Sequence, residues 1–502
     1  MEIIKVRKKN HAYLHVEASP SVMNEITDFF TFFANNYKFD PRYKKKHWDG
    51  KIRLYNSRDK KLYIGLYRYL QEFANTEGRD YKLEVEGDAY YGYPDAESTD
   101  DFSWVFDLPL WSNGKVITPN EHQVRAVSHT LRKKNTLLLS PTASGKSLII
   151  YLAIRFLLDK MPPDKKILVV VPTTALVKQM QSDFAEYSTH DESFNADDET
   201  HIIYAGKEKF DISGRVVITT WQSAYELPNS WFDRFGAIFG DEAHTFKAKS
   251  LVSIMSNLRD AAYRVGTTGT LDGTAVSKLV LEGLFGIVYK VITTKNLIEQ
   301  GILSDLKINI LLLKHPPESC VQMKKADYQK ELDFLVSNEK RNNFISNLAL
   351  DQDGNTLVLF QFVEKHGAVL YDLIKESAHE RRKVFFVSGS TDVDDRERIR
   401  GIVEKEKNAI IIASFGTFST GINIRNIHNI IFGSPSKSQV RVLQSIGRGL
   451  RKSDDGRTTK LYDIADDLHY HTHKNHTLRH AGERISIYSR ERFKFKIYEV
   501  NL

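Results

Sequence analysis

Three groups of residues have the types and spacing to handle a phosphate ester. The first is Ser140-Pro141-Thr142-Ala143-Ser144-Gly145-Lys146-Ser147, set between the apolar runs 136–139 and 148–158. A strand, a tight loop of small residues and a helix form the context a phosphate-binding loop requires. Backbone N–H groups in such a loop and at the following helix N-terminus can wrap a polyphosphate. Lys146 would bring a positive charge to the β- and γ-phosphates and Ser147 a hydroxyl for Mg²⁺. The second group is Asp241-Glu242-Ala243-His244, directly after the apolar run 237–240. At the C-terminal end of a strand facing a phosphate loop, Asp241 can hold Mg²⁺, usually through water, while Glu242 polarises the attacking water. The third is Gln444, Arg448 and Arg451, which share one face of a helix at spacings of four and three. Two guanidinium groups brought to a γ-phosphate would stabilise transition-state charge.

The elements that must position these groups follow from hydrophobic patterning. Short Val/Ile/Leu runs at 136–139, 166–171, 201–204, 215–219, 237–240 and 263–266 alternate with helical spacers. That pattern predicts a parallel sheet covered on both faces. After a bridging segment it recurs at 356–360, 383–387, 409–413, 429–432 and 460–464, so a second α/β domain follows. The predicted organisation is a small basic α+β domain over 1–90, an acidic connector over 91–115, α/β domains over 116–285 and 286–465, and a basic extension over 466–502. Only the first α/β domain carries a phosphate loop.

Charge is unevenly placed. Residues 1–70 hold fifteen Lys/Arg against seven Asp/Glu, a net +8, so the other 432 residues sum to −1 within the total of +7. A basic module on a near-neutral engine points to a polyanionic partner. Within it, Val22, Ile26, Phe29, Phe30, Phe33 and Tyr37 predict one helix. Asp49-Gly50 predicts a hairpin, with a second turning near 56–59. Lys44, Lys45, Lys46, Lys51 and Arg53 would then lie on a short sheet with Trp48, suited to phosphate contacts and base stacking. The competing reading is a solvated sheet edge. No apolar run is long enough to span a bilayer, the N-terminus lacks a signal-peptide core, and Cys320 stands alone. These features predict an intracellular protein. In the tail, His469, His471 and His473 lack the carboxylates or cysteines that would make a convincing metal site.

Taken together, residues 123 to 451 resemble a superfamily-two helicase motor of the DEAH type. The resemblance implies two RecA-like domains using ATP and Mg²⁺. It matches Gln123 to the glutamine that reads adenine. It matches Pro172–Leu176, including Thr173, and Thr219–Ser223, including Thr220 and Gln222, to segments that touch the nucleic-acid backbone. Thr268-Gly269-Thr270 takes the place of the motif coupling hydrolysis to strand movement. Gly421 and Asn423, in Ser419-Thr-Gly-Ile-Asn423, match a segment contacting both nucleotide and strand, and Gln444 to Arg451 the finger motif. Ser140 and Ala143 depart from frequent loop glycines, and Gly269 from the usual alanine. The whole arrangement further resembles phage recombination helicases of this superfamily. That implies action on forks, Holliday junctions and RNA–DNA hybrid loops, in the cytoplasm of a bacterial host. The motifs themselves are shared by duplex translocases and RNA helicases. A nucleic-acid-annealing protein with a vestigial motor is the remaining alternative, opposed by intact Lys146, Asp241, Glu242, Arg448 and Arg451.

Overall fold

The computed structural model describes residues 2–502 except 35–36, 87–101, 113, 247, 272–274, 422–423, 425, 436–437, 439–441, 444, 448–449 and 451–457, with backbone alone for 248, 275–277, 393 and 419–421. Two compact units result: Met1–Ser140 with Gly145–Val291, and Ile292–Leu502 with the loop Pro141–Ser144. No helix among the described residues is long and apolar enough to cross a membrane.

The first unit opens with β1 (Glu2–Lys8), β2 (Tyr13–Glu17), β3 (Thr31–Phe33), β4 (Lys51–Arg53), β5 (Tyr55–Asn56), β6 (Lys61–Tyr63) and β7 (Tyr81–Val85). Five of these form a sheet in the order β5-β6-β2-β1-β7. Period-two alternation buries Ile4, Val6, Leu14 and Val16 on one side and leaves Lys5 and Arg7 outside. The helix predicted from Val22 to Tyr37 stops at Phe29, and Thr31–Phe33 pairs antiparallel with Lys51–Arg53 instead. The β-branched and aromatic residues after Phe29 suit a strand better than a helix once a partner strand is present. Asp49-Gly50 therefore does not close a hairpin between neighbours. The segment before it forms a short helix, Pro41–Lys44, and Gly50 (φ +79°) packs where a Cβ would lie 2.4 Å from the Tyr37 ring. The second predicted turn is present but tighter, with Tyr55 opposite Leu62 and Asn56 opposite Lys61.

The hairpin β8 (Trp111–Ser112) and β9 (Lys115–Val116) leads into a seven-stranded parallel sheet. Its strands are β10 (Asn135–Leu139), β11 (Lys166–Val171), β12 (Thr200–Ile203), β13 (Val216–Thr220), β14 (Phe235–Gly240), β15 (Tyr263–Thr268) and β16 (Val288–Lys290), in the order β12-β13-β11-β14-β15-β10-β16. Trp104 packs near Phe156 and Trp111 against His190, whereas Phe106 is exposed. One continuous apolar cluster runs from Ile4, Leu14 and Leu66 of the small sheet to Leu281, Leu284 and Phe285 of the helix Ala275–Phe285. Gly65 meets that helix so closely that a Cβ would lie 1.9 Å from the Glu282 carbonyl oxygen. Tyr69 Oη donates to Glu282 Oε2 at 2.6 Å, and the Tyr13 and Ser256 hydroxyls are 2.6 Å apart. Removing residues 1–80 would strip one wall from this shared core, so the basic module is better tested by surface substitutions than by deletion.

Burial holds two histidines of this unit neutral. His11 is pushed down to about 4, chiefly by burial and then by Lys8 and other cations, and His129, stacked 3.9 Å from Tyr289, also falls to about 4 through burial and Lys133. An unfolded histidine titrates near the ordinary 6.5, so the unfolded chain binds more protons than the folded one between pH 6.5 and 4. Stability is full above that window and falls as the pH drops through it. Urea-unfolding midpoints measured from pH 7.5 to 4.5 are expected to decline, and less steeply for His129→Gln.

The second unit repeats the architecture with β17 (Leu306–Lys314), β18 (Thr356–Phe360), β19 (Val384–Val387), β20 (Ile410–Ser414), β21 (Asn429–Phe432), β22 (Thr459–Asp467) and β23 (Phe495–Asn501). The order is β19-β20-β18-β21-β22-β17-β23, all parallel. Residues 466–502, set apart in the sequence as a basic extension, are built into this sheet. They contribute the helix His476–Arg490 and the edge strand β23, which pairs along β17.

Candidate active site and nucleic-acid interface

Strand order places the chemistry. β15 lies between β10, which leads into the phosphate loop, and β14, which ends at Asp241. The end of β15, Thr267-Thr268, therefore stands between the strand that leads into the phosphate loop and the strand that ends at the acidic pair. Ala143 (φ +67°) and Gly145 (φ +80°) both adopt left-handed backbone, which turns the loop sharply before the helix Lys146–Lys160 begins. Ala143 bears a cost of about 1 kcal/mol that the glycine frequent in such loops would avoid. At Gly145 the positive φ disfavours any side chain, and a Cβ would lie 2.1 Å from Gln123 Nε2, which would have to shift. Gln123 is buried at the start of the helix Glu121–Lys133, where its Oε1 accepts from Asn120 N at 2.8 Å in a capping box.

Lys146 Nζ forms an ion pair with Glu242 Oε1. Glu242 itself adopts φ +48°, and its second oxygen lies 3.5 Å from His244 Nδ1. His244 Nδ1 also lies 2.6 Å from Thr268 Oγ1, which donates to the Thr270 carbonyl at 2.7 Å. Asp241 is buried and accepts from Thr267 Oγ1 at 2.5 Å and Glu242 N at 2.9 Å. Burial raises the Asp241 carboxyl, the Lys146 charge opposes that, and the neighbouring Glu242 carboxylate adds to it. Ser147 Oγ lies 2.8 Å from Tyr187 Oη, at the end of the helix Thr174–Tyr187. A run of contacts thus links Lys146, Glu242, His244 and Thr268, and Thr267, next to Thr268 in the chain, bonds Asp241. The sequence marked Thr268-Gly-Thr270 but not Thr267, whose only signal was adjacency to that motif. Nothing in local spacing marked Tyr187, forty residues from its partner.

These residues fit a nucleoside triphosphate with Mg²⁺. The left-handed turn at Ala143 and Gly145 leaves a backbone cradle, Lys146 would supply the cation, and hydroxyl and carboxylate oxygens are the donors a hard cation takes. Among the described residues no group of three or more His, Cys, Asp or Glu is placed to hold a metal, so His469, His471 and His473 do not form one. Gly421 ends the backbone of the helix Phe415–Gly421, while Asn423, Gln444, Arg448 and Arg451 lie outside the described residues.

The segments expected to touch nucleic acid lie on neighbouring strand ends. Thr173, after β11, caps its helix by accepting from Leu176 N at 3.3 Å, and Thr220, ending β13, accepts from Ser223 N at 3.3 Å. Gln222 Nε2 points to the Pro172 carbonyl at 3.5 Å, bringing the two segments together. In the basic module, Lys44, Lys45 and Lys46 are exposed on the short helix Pro41–Lys44 and the turn after it, not on a sheet. With Lys38, Tyr43 and Trp48, Lys44 and Lys46 line a surface cavity of about 610 Å³. Trp48 donates to the Lys51 carbonyl at 2.9 Å and carries Arg42 at 4.9 Å from its ring centre. Lys51 lies 5.4 Å from the Phe33 ring. Arg53 is engaged by Asp49, whose carboxyl that contact pulls down to about 2.

Fold and site together define a motor of the superfamily-two helicase class. Comparison with known proteins agrees along the length of the chain. Residues 3–86 match the family model for the N-terminal domain of the DNA helicase UvsW, residues 116–273 that for the res subunit of type III restriction enzymes, and residues 339–453 that for the helicase conserved C-terminal domain. The ATP-dependent DNA helicase uvsW of Enterobacteria phage T4 is 34% identical over 99% of this chain and 100% of its own. Its crystal structure superposes with a TM-score of 0.52 at 33% identity, covering 99% of both chains. A probable helicase, D10, of Escherichia phage T5 is 23% identical over 58% of this chain and 60% of its own. The chain belongs to the UvsW family of ATP-dependent DNA helicases, and it is an ATP-hydrolysing enzyme.

Proposed function

We propose that this helicase uses ATP to unwind and branch-migrate forked and four-way DNA junctions, and RNA–DNA hybrid loops, in recombination, replication and repair. The observation carrying the chemical part is the Lys146–Glu242–His244–Thr268 network, which ties the phosphate loop to the acidic pair and to the end of β15. Residues 140–147 cradle the triphosphate, with Lys146 on its outer phosphates and Gln123 at the base. Ser147 and Asp241 hold Mg²⁺, which would neutralise phosphate charge. Glu242 takes the proton of the attacking water, and Arg448 and Arg451 steady the charge that develops on the γ-phosphate. Gly421, Asn423 and Gln444 complete the nucleotide contacts. Thr173, Thr220 and Gln222 contact the tracked strand.

Junction preference is assigned to the basic module and its Lys44, Lys45, Lys46 and Lys51, where Lys44 and Lys46 line a cavity with Trp48 and Trp48 donates to the Lys51 carbonyl. The test is hydrolysis and binding with no DNA, single-stranded DNA, a fork and RNA. Forked DNA is expected to stimulate hydrolysis most. The triple substitution Lys44→Ala/Lys46→Ala/Trp48→Ala is expected to lower fork affinity at least tenfold, since base stacking alone is worth about 1–3 kcal/mol, with DNA-free hydrolysis unchanged. Unaltered fork affinity in that variant would remove the module from this role. Stimulation by RNA alone would overturn the DNA-junction reading.

A further inference from the structure

The sheet of the second unit carries a basic face that the motor motifs do not explain. Around the start of β23 a cavity of about 630 Å³ is lined by Lys307, Arg492, Lys494, Phe495, Lys496 and Tyr498. Strand register extends the charge across the sheet. Lys307 on β17 stands beside Lys460 on β22, and Asn309, two residues on, stands between Tyr462 and Lys496. Side chains alternate sides along a strand, so Lys307, Lys460 and Lys496 share one side of the sheet with Tyr462 and Tyr498. All three lysines are exposed and make no ion pair among the described residues, and Tyr498 is 45% exposed. Of the acidic groups at the cavity, Glu299 is held by Lys295 at 3.3 Å, leaving Asp305.

Lysines on an edge strand commonly serve only to discourage pairing with another chain. That account covers Lys496 on β23. It does not cover Lys307 and Lys460, because β17 and β22 are interior strands whose hydrogen-bonding edges are already occupied. Cations spread over three neighbouring strands with one exposed aromatic ring, Tyr498, among them are the chemistry of a single-strand platform, phosphates on the lysines and a base on the ring. We infer that this face is a second nucleic-acid site, which binds a single strand through Lys307, Lys460 and Lys496 with a base stacked on Tyr498.

The test uses the full chain and a fluorescent oligo(dT), titrated without nucleotide over a range of salt. Three neutralised phosphate contacts on a single strand correspond to a change of about 2 in the slope of log K against log salt. Lys307→Ala/Lys460→Ala/Lys496→Ala is therefore expected to flatten the slope by about 2 and weaken binding at least tenfold near 0.1 M salt. DNA-free ATP hydrolysis and the melting temperature should stay at wild-type values. Tyr498→Ala is expected to weaken binding at least fivefold with the slope unchanged. An unchanged slope in the triple variant overturns the inference, and an equal loss for blunt duplex overturns its single-strand specificity. Should the triple variant melt early, wild-type protein decides: an oligonucleotide carrying 5-iodouracil is expected to crosslink within residues 494–501, and no crosslink there overturns the site. Loss of DNA-free hydrolysis in wild type would instead count against the motor, leaving this site to be judged by binding alone.

Discussion

Lys146→Ala is expected to lower ATP turnover by at least 100-fold, with or without DNA, and to weaken nucleotide binding as well. The side chain performs two jobs that one substitution removes. On the proposed reading it brings the positive charge for the outer phosphates, and a single preorganised donor of this kind is worth about 10²–10³ in rate. It also pairs with Glu242, which is partly buried and would be left facing the buried Asp241 without its cation. Glu242→Gln separates the two jobs. It keeps the loop and its lysine, so nucleotide binding should persist while turnover falls about 10²–10⁴-fold, the range of a lost general base. A fluorescent-nucleotide titration beside steady-state hydrolysis reads both quantities. Equal nucleotide affinity in wild type and Lys146→Ala would remove the lysine from the phosphate site.

Asp466→Ala is expected to destabilise the second unit by about 3–5 kcal/mol, the cost of leaving a buried charge without its partner. Asp466 and Arg341 are both fully buried, joined by bonds of 2.8 and 3.0 Å, and His315 Nε2 lies 3.1 Å from the same carboxylate. Burial by itself would raise this carboxyl, but Arg341 and His315 carry it well below the usual carboxylate range. Arg341 also donates to the Gly433 carbonyl at 2.8 Å, so it cannot turn away to water when Asp466 is lost. Guanidinium denaturation should show an earlier transition for this unit. The double variant Arg341→Met/Asp466→Leu is expected to recover much of the loss, because an apolar pair of similar volume removes the stranded charge. A single variant that unfolds at the wild-type midpoint would show that the pair contributes nothing net.

How much of this was legible in the sequence differs from element to element. Strands β10, β11, β14, β18 and β21 were readable because fully buried parallel strands are continuous apolar runs that end abruptly at loops. Lys146, Asp241 and Glu242 stood out as candidates because Asp241 and Glu242 directly follow such a run and Lys146 follows one after a loop of small residues. Strand β17 was passed over as a bridging segment, because its two neighbours, β22 and β23, lie more than 140 residues downstream. Strand β3 was read as helix for the same reason, since its partner β4 lies beyond a loop and a short helix.

The amino-acid order by itself determined which groups carry charge, which runs must be buried, and where the loops between them fall. These depend on local pattern and apolar burial. Tertiary structure decided the rest. It put β15 between β10 and β14, so that Thr267 and Thr268 reach Asp241 and His244. It set Tyr187 against Ser147 and packed Gly65 onto Glu282. It also gathered Lys307, Lys460 and Lys496 from three strands onto one face. Each is a contact across long stretches of chain, set by strand order and register, to which no local spacing responds.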